Sequence, residues 1–204
     1  MRLLLPAAAI GLLTAPGPVW AGECVALNPS SRPTAAATIG LFPSADLPRA
    51  VVRRAVGAWS SCSRTPGDMP RLVVGEAGTR DLLVRFRAEA VGSDGRCGTF
   101  SGRTITLYGR TRSAGGQVRS CGSLAQNLTH ELGHAFGLAD APASCDTFAM
   151  AKLNPSNRYH RRVQPGECEL LRERWDNALL GSNRADLGVP ALSRGPRREP
   201  SPRP

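Results

Sequence analysis

The sequence predicts an α+β fold, in which a twisted mixed sheet packs against one helix that carries the polar chemistry and a second helix near the C-terminus. Three observations lead to this prediction. Short apolar segments with the two-residue alternation of strands occupy the first half of the chain. A helical pattern with a capping signal begins near residue 124, and another helical pattern ends near residue 180. The 204 residues are enough for one domain with its own core.

The first predicted elements are a strand, a helix and a second, shorter strand. Residues 38–42 form the first strand and residues 71–74 form the next one. Between them, Asp46 is the predicted N-cap and Pro48 stands in the first turn of a helix. Apolar side chains recur at helical spacing along one face of this helix: Val52, Ala55, Val56 and Trp59.

Two alternating segments and two helices complete the predicted domain. Residues 81–88 and 104–108 both alternate in the manner of strands, with a glycine-rich loop between them. Ser123 and Gln126 form a capping box for the helix that follows. Apolar residues define the core faces of this helix and of the final one: Leu124, Leu128 and Leu132, then Cys168, Leu171, Trp175 and Leu179.

The two ends of the chain differ in composition from the domain between them. Residues 1–21 combine Arg2, a short apolar run broken by prolines and a small-residue end, and we interpret them as a secretory signal peptide. The mature chain then begins at Gly22, and no stretch approaches the length of a membrane span. Residues 181–204 contain five prolines and five arginines, which predicts a disordered tail, either a solvated extension or a segment that binds an acidic partner. We therefore expect a secreted or periplasmic protein.

The six cysteines all lie in the predicted mature part of the chain. An even number of cysteines in an exported protein indicates three disulfides. Six cysteines allow 15 pairings, and the sequence does not decide among them. We favour nearest neighbours along the chain: Cys24–Cys62, Cys97–Cys121 and Cys145–Cys168.

The formal net charge is +10, and all of the 26 basic residues except Lys152 are arginine. This charge suits affinity for anionic surfaces or acidic substrates, or a genomic preference for arginine codons, and it does not separate these alternatives. A nucleic-acid surface combines clustered basic residues with stacking aromatic residues. The three Trp, two Tyr and five Phe residues do not interleave with a basic run, so we expect no nucleic-acid partner.

The stretch from His130 to Asp140, HELGHAFGLAD, holds the candidate metal site. His130 and His134 stand four residues apart on a helix, so both imidazoles point from one face and can bind one zinc ion. Glu131 follows the first histidine, where its carboxylate can hold a water bound to that metal. Gly137 can end the helix in a left-handed turn, after which the chain brings Asp140 to the zinc. Three protein ligands leave the fourth position to water, which is typical of a catalytic zinc site.

This pattern resembles the signature of the metzincin metallopeptidases, HExxHxxGxx(H/D) followed by a Met-turn. The third ligand of the motif is Asp140 in this chain, and an aspartate at this place is similar to the snapalysin-like minority of the clan. The resemblance is therefore to matrixin-like and snapalysin-like members. Residues 147–150 resemble the Met-turn, with Met150 as an apolar base beneath the metal. The resemblance implies a zinc metallopeptidase domain over residues 22–180.

The resemblance also implies an activity, that of a secreted zinc-dependent endopeptidase with Glu131 as general base. We expect one zinc per chain, a monomer, and a protein or peptide substrate; calcium is left open. The substrate is expected to pair main chain to main chain along an edge strand, for which the sequence offers Thr104, Ile105, Thr106, Leu107 and Tyr108. Two alternatives stay open: a zinc-binding cell-envelope protein without catalytic activity, and a cationic envelope protein that acts on anionic polymers.

Overall fold

The computed structural model describes residues 21–28, 38–78, 80–90, 95–152 and 161–186. Within them the chain is α+β with a mixed sheet, which confirms the predicted class. The elements in chain order are α1 (Ala21–Cys24), β1 (Thr38–Pro43), α2 (Arg49–Ser60), β2 (Arg71–Val74), β3 (Arg80–Glu89), β4 (Gly98–Ser101), β5 (Thr104–Arg112), β6 (Val118–Ser120), α3 (Leu124–Phe136) and α4 (Pro165–Asp186).

The predicted ends of the chain fall largely outside the described residues. Of the predicted signal peptide, only Ala21 is described, and it begins α1. Helix α4 continues through Asp186, so the first residues assigned to the tail are helical, and residues 187–204 lie outside the described part. No helix among the described residues is long and apolar enough to cross a membrane.

The sheet has the strand order β2-β1-β3-β5-β4, and β6 also pairs with β5. The pairs β1–β2, β1–β3 and β3–β5 are parallel, whereas β4 and β6 run antiparallel to β5. Alternate residues of the three inner strands point into the core and are almost fully buried: Ile39, Leu41, Leu82, Val84, Ile105 and Leu107. Their alternation is the pattern that predicted the strands.

Strand β4 was not predicted from the sequence, and it changes which strand forms the edge. A two-residue turn at Gly102 and Arg103 joins β4 to β5, with Gly102 at φ 59°, a value that favours glycine at this position of a hairpin. Strand β5 therefore has β3 on one side and β4 on the other. The prediction that Thr104–Tyr108 form an edge strand is wrong, because β4 covers that edge.

Helix α3 packs on the sheet at β4 and β5 and lies against α2 on its other side. Trp59 of α2 is buried, and its indole nitrogen donates to the carbonyl of Thr129 in α3 at 2.8 Å. The Trp59 ring meets Phe136 edge to face at a centroid distance of 5.3 Å, and Phe136 meets Trp175 of α4 at 6.0 Å in the same manner. These aromatic contacts fix the position of α3, the helix that carries the HELGH motif.

Two details of the predicted helix starts differ from the structure. Helix α2 has Pro48 as its N-cap rather than Asp46, because the chain turns between Ser44 and Leu47 before the helix begins. In α3, Ser123 Oγ accepts from the backbone nitrogen of Gln126 as predicted. The Gln126 side chain donates instead to the carbonyl of Arg161 at 3.3 Å, so the capping box forms only in half.

The structure contains three disulfides: Cys24–Cys145, Cys62–Cys168 and Cys97–Cys121. Only the last of the three favoured pairings is therefore right. Cys24 reaches Cys145 because the N-terminal segment runs beside the chain that follows α3, with a bridge between Leu27 and Leu138. Cys62 ends the turn after α2 and meets the first turn of α4. Both pairs join segments that lie far apart in the sequence.

Candidate metal centre

Three side chains converge at the C-terminal part of α3. His130 Nε2 lies 3.2 Å and His134 Nε2 lies 3.3 Å from the same oxygen, Asp140 Oδ1. The ligand atoms of all three residues lie within 4.8 Å of one another, a spacing that could hold a metal ion. The two histidines are on one face of the helix because they are four residues apart, as the sequence predicted.

A left-handed turn at Gly137 brings Asp140 to the histidines. Gly137 has φ 93°, a conformation that residues with a Cβ rarely adopt. Its N–H donates to His134 O and the Leu138 N–H donates to Gly133 O, which ends the helix as the motif predicted. The Ala141 N–H then donates to Met150 O at 2.8 Å, so the segment around Asp140 is held against the residues that follow it.

The second nitrogen of each histidine ring is held by a backbone carbonyl. His130 Nδ1 lies 2.9 Å from Ala149 O, and His134 Nδ1 lies 3.0 Å from Leu138 O. A carbonyl can only accept, so each Nδ1 carries a proton, and each Nε2, which faces Asp140 Oδ1, would offer its lone pair to a bound metal ion. Metal-binding histidines in proteins are oriented by this kind of outer hydrogen bond. The donor set therefore fits a divalent metal ion.

Mutual contacts shift the ionisation of these side chains. Hydrogen bonds from His130 and His134 hold the pKa of Asp140 well below its usual range. Burial acts to lower the pKa of His134, but its hydrogen bonds to Asp140 and Leu138 and the nearby carboxylates raise that pKa overall. A metal ion at this position would compete with the proton that the imidazole and the carboxylate share.

Glu131 lies beside the three ligands and is 5% exposed. Burial raises the pKa of this carboxyl group, and its electrostatic interactions with His130 and His134 act in the opposite direction. The edge strand β4 passes so close that a Cβ on Gly98 would lie 2.5 Å from Glu131 Oε1. Glycine at position 98 therefore lets Glu131 keep its place between α3 and β4.

An open cavity of about 620 Å³ lies over this group of side chains. Its lining takes in residues of strand β4 and of the segment before it, and residues of α3 that include both histidines. Lys152 and Arg161 also line it. Glu131 and the three ligand atoms are therefore reached from one open cavity.

Met150 packs directly beneath α3 and is 1% exposed. A Cβ on Gly133 would collide with the Met150 sulfur, so the glycine between the two histidines lets the methionine approach the helix. The backbone N–H groups of Ala149 and Met150 both donate to the carboxylate of Glu167, at 3.3 and 2.9 Å. Met150 therefore packs against α3 and directly follows Ala149, whose carbonyl lies 2.9 Å from His130 Nδ1.

Glu167 was missed from the sequence, although a signal for it exists. Glu167 is the third residue of α4, and its carboxylate also accepts a hydrogen bond from the backbone nitrogen of Gln164, just before the helix, at 2.8 Å. A proline at the first helical position and a glutamate two residues later, as in Pro165–Glu167, are typical of a helix N-terminus. The buried carboxylate therefore joins the start of α4 to the backbone under the histidines.

The structure places His130, Glu131, His134 and Asp140 around one cavity, and Met150 packs against α3 at Gly133. The predicted substrate-binding residues of β5 do not line the cavity; Ile105 and Leu107 are buried in the core instead. The cavity is lined by residues that sequence reasoning did not select, among them Gly98, Asn127 and Arg161. Asn127 is the one with a local signal, because it stands four residues before Glu131 on the same helix.

No model of a known protein family matches the chain, and no curated protein matches it.

Proposed function

We propose that the protein is a zinc-dependent endopeptidase, similar to the metzincins that its motif resembles. One observation carries the proposal: two imidazole nitrogens and one carboxylate oxygen converge within 4.8 Å at the base of an open cleft. The buried carboxylate of Glu131 stands immediately beside them. The three disulfides fit an oxidising compartment, so we further propose that the protein is exported.

His130, His134 and Asp140 would hold the metal. Two nitrogens and one oxygen from the protein are typical of a catalytic zinc site, and the cleft gives a water or a substrate access to the same position. When bound, zinc would lower the pKa of a water molecule and polarise the carbonyl of the peptide bond. The Nδ1 hydrogen bonds to Ala149 and Leu138 keep both imidazoles turned towards the centre.

Glu131 would act as the general base and then as the general acid. As the water oxygen forms its bond to the carbonyl carbon, the carboxylate accepts the proton that the water loses. It then delivers that proton to the leaving nitrogen as the carbon–nitrogen bond breaks. Burial raises the pKa of Glu131, which brings its basicity closer to what both transfers need. The side chain of this residue supplies no ligand to the metal in this scheme.

Strand β4 would orient the substrate. It is the edge strand nearest Glu131, and among the described residues no strand pairs with its outer side. An extended peptide could add to this edge by main-chain hydrogen bonds, with its scissile bond beside Glu131. This proposal keeps the edge-strand mode of binding that the sequence suggested but moves it from β5 to β4.

The test compares metal content and hydrolysis in three proteins. Wild type should contain one zinc per chain and cleave an unfolded protein substrate. Glu131→Gln should keep its zinc and fold but lose about 100- to 10,000-fold in kcat, the range that proton transfer contributes. Glu173→Gln is the matched control, because Glu173 is exposed on α4 far from the motif in sequence, and it should behave as wild type.

The outcomes separate the alternatives. Zinc without hydrolysis in wild type would favour a binding protein without catalytic activity. Hydrolysis that survives Glu131→Gln would assign the base to another residue. Freshly purified protein without any bound metal would overturn the metal site itself.

A further inference from the structure

We propose that Arg161 is a specificity residue of the cleft, which binds a carboxylate of the substrate close to the scissile bond. This inference rests on the proposed peptidase function and names the class of substrate that it prefers. It would make the protein an endopeptidase selective for acidic residues, or an enzyme that recognises the carboxylate at a chain end.

Arg161 is an unusually buried charge for a residue that lines an open cavity. It is 5% exposed, and it lines the same cavity as Glu131 and the candidate metal ligands. Burial acts to lower the pKa of its guanidinium, while the charge of Glu131 acts to raise it. A buried charge of this kind is costly unless it is paired or fully hydrogen-bonded.

The partners of Arg161 in the described part of the chain are neutral and few. Nη1 donates to Ala151 O at 2.9 Å, and Nη2 donates to Asn127 Oδ1 at 3.3 Å. The buried Nε has no acceptor among the described residues. No carboxylate lies within ion-pair distance of Arg161 in that part, and the adjacent residues 153–160 contain no Asp or Glu. Two neutral acceptors leave most of the five donors of this guanidinium without a partner among the described residues.

The two carboxylates of the cleft are already committed. Asp140 is hydrogen-bonded to both histidines, and Glu131 is the proposed base. A substrate carboxylate would supply the anion that Arg161 lacks, and the planar guanidinium suits a carboxylate better than a point charge does. Lys152 and Arg96 line the same cavity and make the whole cleft attractive to an acidic substrate.

The position of Arg161 sets where that carboxylate must be. Asn127, which accepts from Arg161, stands one helical turn before Glu131 on α3, and Ala151 directly follows Met150. Residues four apart on a helix have Cβ atoms about 5–6 Å apart. The guanidinium is thus about one substrate residue away from the base, so the recognised carboxylate belongs to a residue that flanks the scissile bond.

A peptide series tests the proposal and separates the two sources of a carboxylate. One set places Glu, Gln or Leu at each of the two residues that flank the scissile bond, with both peptide ends blocked. The other set carries Leu at these positions and ends one residue after the bond, with a free or an amidated C-terminus. We expect wild type to cleave one Glu peptide, or the free-ended peptide, at least about tenfold faster in kcat/KM than its neutral counterpart, which corresponds to about 1.4 kcal/mol.

Arg161→Gln removes the charge and keeps a polar side chain with one amide donor group. It should abolish the preference for the carboxylate while it leaves the cleavage of the Leu peptide within about threefold. Arg161→Lys should retain part of the preference, and Arg85→Gln, an exposed arginine of β3, should retain all of it. A purely structural role for Arg161 predicts a different result, an equal loss for all peptides.

The outcomes distinguish this proposal from the proposed function. Cleavage without any carboxylate preference overturns the role of Arg161 and leaves the peptidase intact; a preference that survives Arg161→Gln also overturns it. If wild type cleaves no peptide, the peptidase proposal fails, and binding of fluorescent Glu and Gln peptides then decides about Arg161. If Arg161→Gln does not fold, Arg161→Lys carries the test, and an unchanged ratio between the Glu and Gln peptides in that variant overturns the role of Arg161.

Discussion

His130, His134 and Asp140 reach the candidate metal centre by two different physical means. The histidines are placed by helix geometry, and each ring is held by a carbonyl at its far nitrogen. Asp140 is placed by the left-handed turn at Gly137 and by the bond from Ala141 to Met150. Its side chain is 42% exposed, against 12% and 22% for the two histidines. Asp140 is therefore the ligand whose contribution is most open to test.

We predict that Asp140→Ala weakens zinc binding by at least about 100-fold, the upper end of what the loss of an outer-sphere partner costs a metal site. Asp140→His should bind zinc but work less well than wild type, because imidazole is longer than a carboxylate and shifts the metal in a preorganised site. Competition with a chelating dye measures both affinities, and Asp146→Ala, an exposed carboxylate, is the control. Unchanged zinc affinity in Asp140→Ala would place the third ligand elsewhere.

The sequence predicted those residues of the site whose relative positions are set by local backbone geometry. The spacing of His130 and His134 on a helix, and the turn at Gly137, depend only on neighbouring residues. Gly98 and Arg161 could not be predicted, because each comes close to Glu131 only through packing between parts of the chain that are far apart in sequence. Nothing in the spacing of residues 98, 131 and 161 indicates that contact.

Gly98→Ala tests whether the close contact between β4 and Glu131 matters for activity. A Cβ at this position would lie 2.5 Å from Glu131 Oε1 and 2.8 Å from its Cγ, so the base must move. We predict a loss of up to about 100-fold in kcat/KM, the effect of a misplacement of about 1 Å, with zinc content retained. Gly57→Ala is a matched control, because its added Cβ meets nothing within 4 Å and stands in a helix. Normal activity in Gly98→Ala would mean that Glu131 can move without cost.

At the scale of elements, the sequence predicted β1, β2, β3, β5 and the three longer helices, but it did not predict β4, the strand that lines the cavity. Strands β1, β3 and β5 have one buried face, so their apolar residues alternate visibly. Strand β4 contains only Gly98–Ser101, and none of its four residues is fully buried. Its place at the edge comes from its hairpin with β5, which four residues cannot reveal. For this reason the sequence predicted the substrate strand at β5, whereas the edge strand is β4.

Helix α4 positions the backbone beneath the histidines through Glu167. Three backbone N–H groups donate to this carboxylate, from Ala149, Met150 and Gln164. We predict that Glu167→Gln lowers the free energy of unfolding by about 1–3 kcal/mol, because an amide has one acceptor oxygen and leaves a buried donor unpaired. Denaturant unfolding measures the change, and Glu173→Gln on the exposed side of the same helix is the control. Equal stability of the two variants would contradict the role assigned to Glu167.

At the scale of the whole molecule, two of the three disulfides fasten elements that the sequence gives no reason to pair. Cys24–Cys145 closes a span of 121 residues and Cys62–Cys168 a span of 106 residues. The nearest-neighbour rule failed for them because Cys24 lies beside the chain that follows α3 and Cys62 lies beside the start of α4, and both contacts depend on the packing of the whole domain. It succeeded for Cys97–Cys121, which spans 24 residues and joins the start of β4 to the segment before α3.

These different spans lead to different effects on stability and activity. In the chain-entropy account, a disulfide stabilises by about 3 kcal/mol for a loop of about 15 residues and by about 4.7 kcal/mol for one of about 100 residues. Cys62→Ser with Cys168→Ser should therefore cost more stability than Cys97→Ser with Cys121→Ser. For activity we expect the opposite order, with the larger loss in the variant that lacks Cys97–Cys121, because Cys97 lines the cleft and directly precedes Gly98 of β4.

We therefore predict that the two double-cysteine variants rank in opposite orders for stability and for activity. The variant without Cys97–Cys121 should have the higher unfolding free energy of the two but the lower kcat/KM, because β4 is no longer tied to the start of α3 and the proposed substrate edge loosens. The variant without Cys62–Cys168 should unfold more easily yet hydrolyse peptides as wild type does at temperatures where it is folded. Denaturant unfolding and peptide hydrolysis at low temperature measure the two quantities. If activity instead falls in the order of lost stability, β4 does not depend on its disulfide to present the substrate.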